Sequence, residues 1–268
     1  MEVKKGRFEC QREGFTIRGR VFRPAKPAAP LPAVIISHGF MANSGSVKHY
    51  AEHFARWGYA AYCYDFCGGC VVGKSDGATT DMSVFTERED LKAVIDYVKS
   101  RRYVDSNRLL LMGCSQGGFV SGLTAAQIPD EIMGLIMFYP ALSIPDDARK
   151  GHMIYARFDP ANIPEVVSCG PMKLGRIYPE SVLTMDPFEE IKSYPGPVLI
   201  THGTNDRLVD VSYSKQAYRA YTGGQPKQHP EKKLQLIEGG AHGFSYRHDK
   251  IAIAGLRKFL REQIETAE

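Results

Sequence analysis

A serine between two glycines has the residue type and spacing needed for nucleophilic chemistry. Ser115 lies between Gly113 and Gly117 in a G-x-S-x-G pattern, after the apolar run 109–112 and before the small-residue stretch 118–126. A strand, a sharp turn and a helix in this order expose a serine hydroxyl for attack on a carbonyl carbon. The glycines leave room for the turn and for close packing of the strand against the helix. The pattern therefore predicts that Ser115 is a nucleophile.

A serine hydroxyl needs a general base, and the base needs an acidic side chain that orients it. Asp206 and His242 follow two short apolar strands downstream of Ser115, in the order Ser, Asp, His. Because the carboxyl ends of parallel strands meet at one edge of a sheet, we expect the three side chains to converge there. Asp210 is the competing acid, and Asp206 is preferred because it lies nearer the end of its strand.

Acyl transfer to a serine also requires hydrogen-bond donors for the negative charge that develops on the carbonyl oxygen. One predicted donor is the backbone N–H of Gln116, which follows the serine at the start of a helix. The second is expected from the loop after the strand 33–37, where Gly39 permits a close approach. The backbone N–H of Phe40 is the first candidate in this loop, and that of Met41 is the next.

These side chains depend on strands that alternate with helices along the chain. Apolar runs predict strands at 3–10, 15–22, 33–37, 59–64, 109–112, 134–139, 197–201 and 233–237, and helices are predicted at 47–57, 84–101, 118–126 and 249–264. This alternation is typical of βαβ units and of a mostly parallel central sheet flanked by helices. We therefore expect an α/β fold that forms a single domain over residues 1–268.

The segment of about residues 142–187 interrupts this alternation. It contains many prolines and aromatic residues and no clear strand of the central sheet. A loop-rich segment of this length is typical of a lid or a binding insertion. We therefore predict a lid insertion here.

Composition limits the kinds of partner. The 268 residues carry a net charge of +4, and 43% of them are hydrophobic. The basic residues form no cluster longer than a pair, so no nucleic-acid partner is predicted. No apolar run reaches the roughly 18–20 residues of a membrane span, and the N-terminus lacks the apolar region of a signal peptide. We expect a soluble, cytoplasmic protein without a membrane partner, and a homodimer remains open.

Six cysteines are present, and a core of this size does not need disulfides, so we expect buried, reduced thiols. Cys67 and Cys70 form a C-x-x-C pattern, for which a redox pair or half of a zinc site is the functional alternative. A zinc site would need a second ligand pair at similar spacing, and the sequence offers none. No metal site is therefore predicted.

Taken together, the motifs resemble those of the α/β-hydrolase superfamily, and in particular the group that contains bacterial cinnamoyl and feruloyl esterases. The resemblance covers nearly the whole chain. It is carried by His38-Gly39-Phe40, Tyr64-Asp65-Phe66, Gly113-Cys114-Ser115-Gln116-Gly117-Gly118, Tyr139-Pro140-Ala141, His202-Gly203-Thr204-Asn205-Asp206 and His242-Gly243-Phe244.

The resemblance implies a serine carboxylesterase that forms an acyl-enzyme, uses no cofactor and hydrolyses small-molecule esters of hydroxycinnamates. It also implies that the insertion is a lid over the acyl pocket, with Asp147 contacting the phenolic hydroxyl of the substrate. Tyr178 and Phe158 are then candidates for packing on the aromatic acyl group. Without the resemblance, Asp146 and Asp147 are equally typical of an acidic pair at a helix N-terminus.

Two departures from that group affect the interpretation. The segment from Cys67 to Cys70 stands where the group usually has a Gly-His-Gly-like sequence, so fine specificity does not carry over. Cys114 stands where histidine is common, behind the predicted turn, and should not change the mechanism.

Other functions remain open on this scaffold. The same three residues would serve a short-chain acyl esterase, an acylglycerol lipase or an acyl-aminoacyl peptidase. A peptidase of this type usually has a large additional domain, for which 268 residues leave no room. A non-catalytic binding protein is the remaining alternative, and the intact order of Ser115, Asp206 and His242 argues against it.

Overall fold

An eight-stranded sheet organises the protein in a computed structural model that describes residues 2–27 and 29–266. The strands of the chain are β1 (Val3–Arg12), β2 (Phe15–Pro24), β3 (Leu31–Ser37), β4 (Ala60–Tyr64), β5 (Val104–Cys114), β6 (Gly134–Phe138), β7 (His152–Met153), β8 (Ala156–Arg157), β9 (Val166–Cys169), β10 (Met172–Gly175), β11 (Val198–Gly203) and β12 (Lys232–Ile237). The order in the large sheet is β1-β2-β4-β3-β5-β6-β11-β12. β1 and β2 pair antiparallel, as do β2 and β4, and every later pair is parallel. The predicted mostly parallel sheet is confirmed.

Helices cover both faces of this sheet. They are α1 (Ser44–Arg56), α2 (Val84–Lys99), α3 (Gln116–Gln127), α4 (Ile144–Arg149), α5 (Ile177–Glu180), α6 (Pro187–Ile191), α7 (Val211–Thr222) and α8 (Tyr246–Phe259), which continues as a π-helical turn, Leu260–Ile264. α1 and α8 pack on one face, and α2, α3, α6 and α7 pack on the other. Residues 33–36 of β3 are fully buried, since helices lie on both sides of them.

Capping residues set helix boundaries that the apolar pattern did not give. α1 begins three residues earlier than predicted because the side chain of Asn43 accepts a hydrogen bond from the N–H of Gly45 over 2.9 Å. α8 begins at Tyr246 because Ser245 caps it by accepting from the N–H of His248. α7 was not predicted, and the Asp210 side chain caps it.

The insertion contains more regular structure than a loop. α4, the two-stranded pairs β7–β8 and β9–β10, and α5 lie between residues 144 and 180, and neither pair joins the large sheet. Strands of two to four residues are too short to show the alternation by which a strand is recognised in a sequence. None of the helices within residues 2–27 and 29–266 is long and apolar enough to cross a membrane.

Candidate active site

Ser115 lies at a sharp turn between β5 and α3. Its backbone adopts φ 54° and ψ −122°, a conformation that costs a residue with a side chain about 1–3 kcal/mol. The surrounding structure holds it there, since its N–H donates to the carbonyl of Phe138 over 2.9 Å. A Cβ at Gly113 would lie 2.0 Å from the carbonyl oxygen of Gly117, so the turn requires a glycine at position 113.

His242 contacts both Ser115 and Asp206. Its Nδ1 donates to Oδ2 of Asp206 over 2.7 Å, and its Nε2 lies 3.0 Å from Oγ of Ser115. Because the Nδ1 proton is bound to a carboxylate, Nε2 is left to accept the proton of the serine hydroxyl. Asp206 and His242 follow the neighbouring parallel strands β11 and β12, whose shared direction brings both loops to the end of the sheet where Ser115 lies.

The carboxylate of Asp206 is buried and fully hydrogen-bonded. Oδ1 accepts from the N–H groups of Leu208 and Val209 over 2.9 and 3.0 Å, and Oδ2 also lies 3.0 Å from Nε2 of His202. Burial alone would raise the pKa of Asp206, but the hydrogen bonds from His202 and His242 outweigh it and hold this pKa well below its usual range. Asp206 therefore stays ionised beside His242 at neutral pH.

Asp210, the competing acid, has a different partner. It lies at the exposed start of α7, where its Oδ1 accepts from the N–H of Ser212 over 2.8 Å. The acid in contact with His242 is thus Asp206.

The loop after β3 passes close to Ser115. A Cβ on Gly39 would lie 3.0 Å from Cβ of Ser115, so this glycine allows the close approach. His38, which is buried, holds the loop in place: its Nδ1 donates to the carbonyl of Gly39 over 2.8 Å, and its Nε2 accepts from the N–H of Phe66 over 3.1 Å. This arrangement brings Phe40 to the edge of the space above Ser115. The N–H of Gln116 is at the first residue of α3.

Two cavities meet at Ser115. The first has a volume of about 310 Å³ and lies under the insertion. The second has a volume of about 370 Å³ and lies between the starts of α1 and α8. Both are bordered by Ser115, Phe40, Ile154 and Leu208. His242 lines the second cavity and is not among the residues that line the first.

Asp147 and Tyr178 both line the first cavity. Oδ2 of the half-buried Asp147 accepts from the hydroxyl of Ser143 over 2.8 Å, and burial raises the pKa of Asp147. Its neighbour Asp146 points elsewhere and binds the hydroxyl of Tyr213 over 2.6 Å. The two acidic residues of α4 therefore differ in role, and only the second of them borders the cavity.

Phe158 does not border either of these cavities. The backbone N–H of Phe158 donates to the carbonyl of Gly151 over 3.0 Å, which closes the β7–β8 hairpin, and its ring packs against the hydrophobic core. The sequence prediction placed Phe158 on the acyl group. The hairpin, which the sequence did not reveal, directs this ring into the packing of the insertion instead.

Glu87 is a residue that the sequence analysis missed. It is 1% exposed, and its Oε2 accepts from Nε2 of Gln116 over 2.7 Å. The side-chain oxygen of Gln116 in turn accepts from the hydroxyl of Tyr178, so hydrogen bonds connect α2, the residue after Ser115 and the insertion. Burial raises the pKa of Glu87 well above its ordinary value. Its position four residues before Leu91, on the apolar face of α2, is the sequence signal that could have identified it.

Five of the six cysteines are buried, and Cys70 is half-buried. All six are free thiols, and Cys67 is buried with its N–H donating to Asp90. Burial, followed by the nearby charge of Asp90, raises the pKa of Cys67 to about 12, which makes its thiol unreactive. In the part of the chain that the structure describes, no group of three or more His, Cys, Asp or Glu side chains is arranged to hold a metal ion.

Comparison with known proteins gives both structural and sequence relatives. Est1E from Butyrivibrio proteoclasticus, solved with bound ferulic acid, superposes with a TM-score of 0.86 and 30% identity, covering 96% of this chain and 99% of that one. The curated protein named usf from Aquifex pyrophilus is 30% identical over 142 residues, which are 49% of this chain and 59% of that protein. A monoacylglycerol lipase from Mycolicibacterium smegmatis is 24% identical over 211 residues, or 69% of this chain and 74% of the lipase. The chain thus spans about 59% of the length of the first of these curated relatives.

The family model described as serine aminopeptidase, S33 matches residues 28–187, which is more than half of the chain. The match includes Ser115 and the insertion, whereas Asp206 and His242 follow it in the sequence. The structural superposition confirms the α/β-hydrolase fold expected from the sequence and the resemblance to a feruloyl esterase-like protein. The chain belongs to the serine aminopeptidase S33 family of α/β-hydrolases.

Proposed function

We propose that the protein is a serine carboxylesterase whose catalytic residues are Ser115, His242 and Asp206. The observation that carries the proposal is the unbroken hydrogen-bonded series from Asp206 through His242 to Ser115, which ends between two cavities. An esterase needs such a division, because its substrate has an acyl part and an alcohol part on opposite sides of the reacting carbonyl.

In the proposed reaction, Oγ of Ser115 attacks the ester carbonyl while Nε2 of His242 takes its proton. The backbone N–H groups of Gln116 and Phe40 stabilise the negative charge on the former carbonyl oxygen. His242 then gives the proton to the departing alcohol, and Asp206 stabilises the charged imidazole throughout. Water, deprotonated by His242, then attacks the acyl carbon, and His242 returns the proton to Oγ of Ser115 as its bond to the acid breaks.

We further propose that the acyl group is a hydroxycinnamate bound in the first cavity. Its walls include the rings of Phe40 and Tyr178, whose centroids are 5.6 Å apart, and these suit a flat aromatic acyl chain. The carboxylate of Asp147 offers an acceptor for a phenolic hydroxyl on the same wall. The similarity to Est1E, which was solved with ferulic acid, supports this assignment.

Replacement of the nucleophile tests the esterase proposal directly. Ser115→Ala should abolish both hydrolysis of p-nitrophenyl butyrate and covalent labelling by a serine-directed fluorophosphonate, while circular dichroism shows a folded protein. Ser168→Ala, on the exposed face of β9, is the control and should retain both. Unchanged turnover in Ser115→Ala, or a wild-type protein that the fluorophosphonate does not label, would contradict the proposal.

A substrate panel tests the acyl assignment separately. The kcat/KM for methyl ferulate should exceed those for a monoacylglycerol and for an aminoacyl p-nitroanilide. It should also exceed the kcat/KM for p-nitrophenyl butyrate after that value is corrected for the better leaving group of the p-nitrophenyl ester. A preference for the monoacylglycerol or the anilide would replace the hydroxycinnamate esterase with a lipase or a peptidase that uses the same three residues.

A further inference from the structure

The second cavity has its own chemistry, distinct from that of the first. The start of α1 contributes Ser46, His49 and Tyr50 to it, and the start of α8 contributes Tyr246 and Asp249. Among the described residues that line this cavity there is one carboxylate, Asp249, and there is no lysine or arginine. Its polar side chains are thus hydrogen-bonding groups together with a single negative charge.

The position of His242 decides which part of an ester this cavity receives. In ester cleavage the histidine must hand its proton to the departing alcohol oxygen, so the alcohol has to leave alongside that histidine. His242 lines the second cavity and does not line the first, whereas Ser115 lines both. The alcohol therefore belongs in the second cavity and the acyl group in the first.

Asp249 is held in a fixed position and in its charged form. Its Oδ1 accepts from the hydroxyl of Tyr50 over 2.5 Å, and its Oδ2 lies 3.3 Å from Nε2 of His49. Burial alone would raise the pKa of Asp249, but the hydrogen bonds from His49 and Tyr50 outweigh it and the pKa lies below its ordinary value. The side chain is 18% exposed, so its charge is only partly screened by water. Lys250 packs its Nζ 4.3 Å from the ring centroid of Tyr246 but does not line the cavity.

We infer that the second cavity is the alcohol subsite and that Asp249 makes it select polar alcohols that are neutral or positively charged over negatively charged ones. The inference rests on the proposed esterase function and adds a specificity-determining residue to it. A carboxylate on the alcohol would be repelled by Asp249 and would find no lysine or arginine among the described residues of the cavity wall. A hydroxyl group would find acceptors in Asp249, Ser46 and Tyr246, and a quaternary ammonium group, which has no N–H to donate, would be attracted by the charge of Asp249.

Three ferulate esters that differ only in the alcohol test this inference: the 2-hydroxyethyl ester is neutral, the choline ester is cationic and the carboxymethyl ester is anionic. With wild-type protein, kcat/KM for the carboxymethyl ester should be about tenfold below that for the 2-hydroxyethyl ester, as expected for two like charges several ångströms apart in a partly screened site. Asp249→Asn keeps an acceptor for Tyr50 and removes the charge. It should raise the ratio of carboxymethyl to 2-hydroxyethyl kcat/KM by about five- to tenfold.

Glu262→Gln is the matched control, because it removes the same charge just beyond α8, where Glu262 pairs with Lys258 outside the cavity. It should leave the ratio unchanged. A wild-type series over increasing ionic strength gives a second readout that needs no variant, since salt should bring the ratio towards that of Asp249→Asn.

The outcomes separate the inference from the esterase proposal. If the wild-type protein hydrolyses the carboxymethyl ester as fast as the other two, or if Asp249→Asn and Glu262→Gln give the same ratio, the alcohol subsite inference is overturned and the esterase stands. If none of the esters is hydrolysed and the fluorophosphonate labels nothing, the esterase proposal itself fails. If labelling occurs without ferulate hydrolysis, the acyl assignment fails. The alcohol subsite is then tested with the corresponding butyrate esters, for which the same ratios of carboxymethyl to 2-hydroxyethyl kcat/KM are expected.

Discussion

The hydroxyl of Tyr178 donates a hydrogen bond to the side-chain oxygen of Gln116, so the insertion is attached to the residue that directly follows Ser115. The amide nitrogen of Gln116 continues the series to Glu87 on α2. All three side chains are buried, with 2%, 0% and 1% exposure in this order. The roof of the first cavity and the turn at Ser115 are thereby held together by groups that cannot exchange their partners for water.

Tyr178→Phe should lower both the free energy of unfolding and the activity towards methyl ferulate. The variant keeps the ring but leaves the buried Gln116 oxygen without its donor, which costs about 1–3 kcal/mol of unfolding free energy. We expect kcat/KM for methyl ferulate to fall by about tenfold, because Gln116 then keeps only its bond to Glu87 and the residue after Ser115 is less well positioned. Urea denaturation and steady-state kinetics measure the two effects.

Tyr59→Phe is the control for that variant, since the Tyr59 hydroxyl makes a 3.3 Å hydrogen bond to Glu265 on the opposite face of the sheet. It should leave kcat/KM unchanged. An equal effect of the two substitutions on kcat/KM would show that the link from Tyr178 to Gln116 has no influence on the site.

The buried acid Glu87 should make stability depend on pH. Its folded-state pKa lies well above the ordinary value, so the folded protein retains a proton that the unfolded chain releases above roughly pH 4.3. Stability is therefore lost as pH rises from that value towards the folded pKa, by at most about 1.4 kcal/mol per pH unit. Glu87→Gln removes this loss and keeps an acceptor for Gln116. In urea titrations at pH 5, 7 and 9, the free energy of unfolding of Glu87→Gln minus that of wild type should increase with pH for as long as the pH lies below the folded-state pKa of Glu87.

Burial also raises the pKa of Asp90, to about 6. Asp90 is present in both wild type and Glu87→Gln, so its contribution to the pH dependence cancels when the two are compared. Glu87→Leu should be less stable than Glu87→Gln at every pH, because Gln116 then loses its acceptor. A difference between Glu87→Gln and wild type that does not vary with pH would mean that Glu87 is not held in its neutral form.

Two aspartates four residues apart offer a test of the proposed acid. Asp206→Asn should lower kcat on the order of 10³–10⁴-fold, because the amide cannot stabilise a protonated His242. Asp210→Asn should leave kcat and stability nearly unchanged, because asparagine caps a helix as well as aspartate does. Pre-steady-state and steady-state hydrolysis of p-nitrophenyl butyrate measures both. Similar losses of kcat in the two variants would contradict the proposal that Asp206 is the acid that orients His242.

Asp147→Asn should reduce recognition of the phenolic hydroxyl. The ratio of kcat/KM for methyl 4-hydroxycinnamate to that for methyl cinnamate isolates this hydroxyl. Replacing a charged acceptor by a neutral one should lower the ratio by about three- to tenfold. Asp146→Asn, which changes the neighbouring carboxylate bound to Tyr213, should not affect it. If Asp147→Asn leaves the ratio as in wild type, the phenol is bound elsewhere or is not part of the substrate.

The sequence predicted those parts of the protein that are carried by apolar runs. The parallel strands are buried on both faces and read as short apolar segments, so the order of these segments was enough to place the loops with Ser115, Asp206 and His242 at one end of the sheet. The structure brings these three side chains within hydrogen-bond distance. Their catalytic roles remain predictions.

Other features depend on contacts between segments far apart in the chain. Phe158 was a candidate for the acyl pocket as an aromatic residue of the insertion, but the β7–β8 hairpin, which the sequence did not reveal, reverses the chain just before it. Glu87 has an acidic side chain of the kind usually found on a solvated surface, and its burial depends on the nearby Gln116 amide, which the sequence does not reveal. The division of the space above Ser115 into two cavities was also not predicted, since Ile154 and Leu208, which border both of them, lie in no recognisable motif.

That division also sets the order in which products depart. In the proposed reaction the acyl group stays attached to Ser115 in the first cavity while the second cavity empties. The next molecule to react must then enter beside His242, in the space that the alcohol has vacated. An added alcohol that fits this space would compete with water for the acyl-enzyme, so the yield of transesterified product would measure how well the second cavity holds that alcohol.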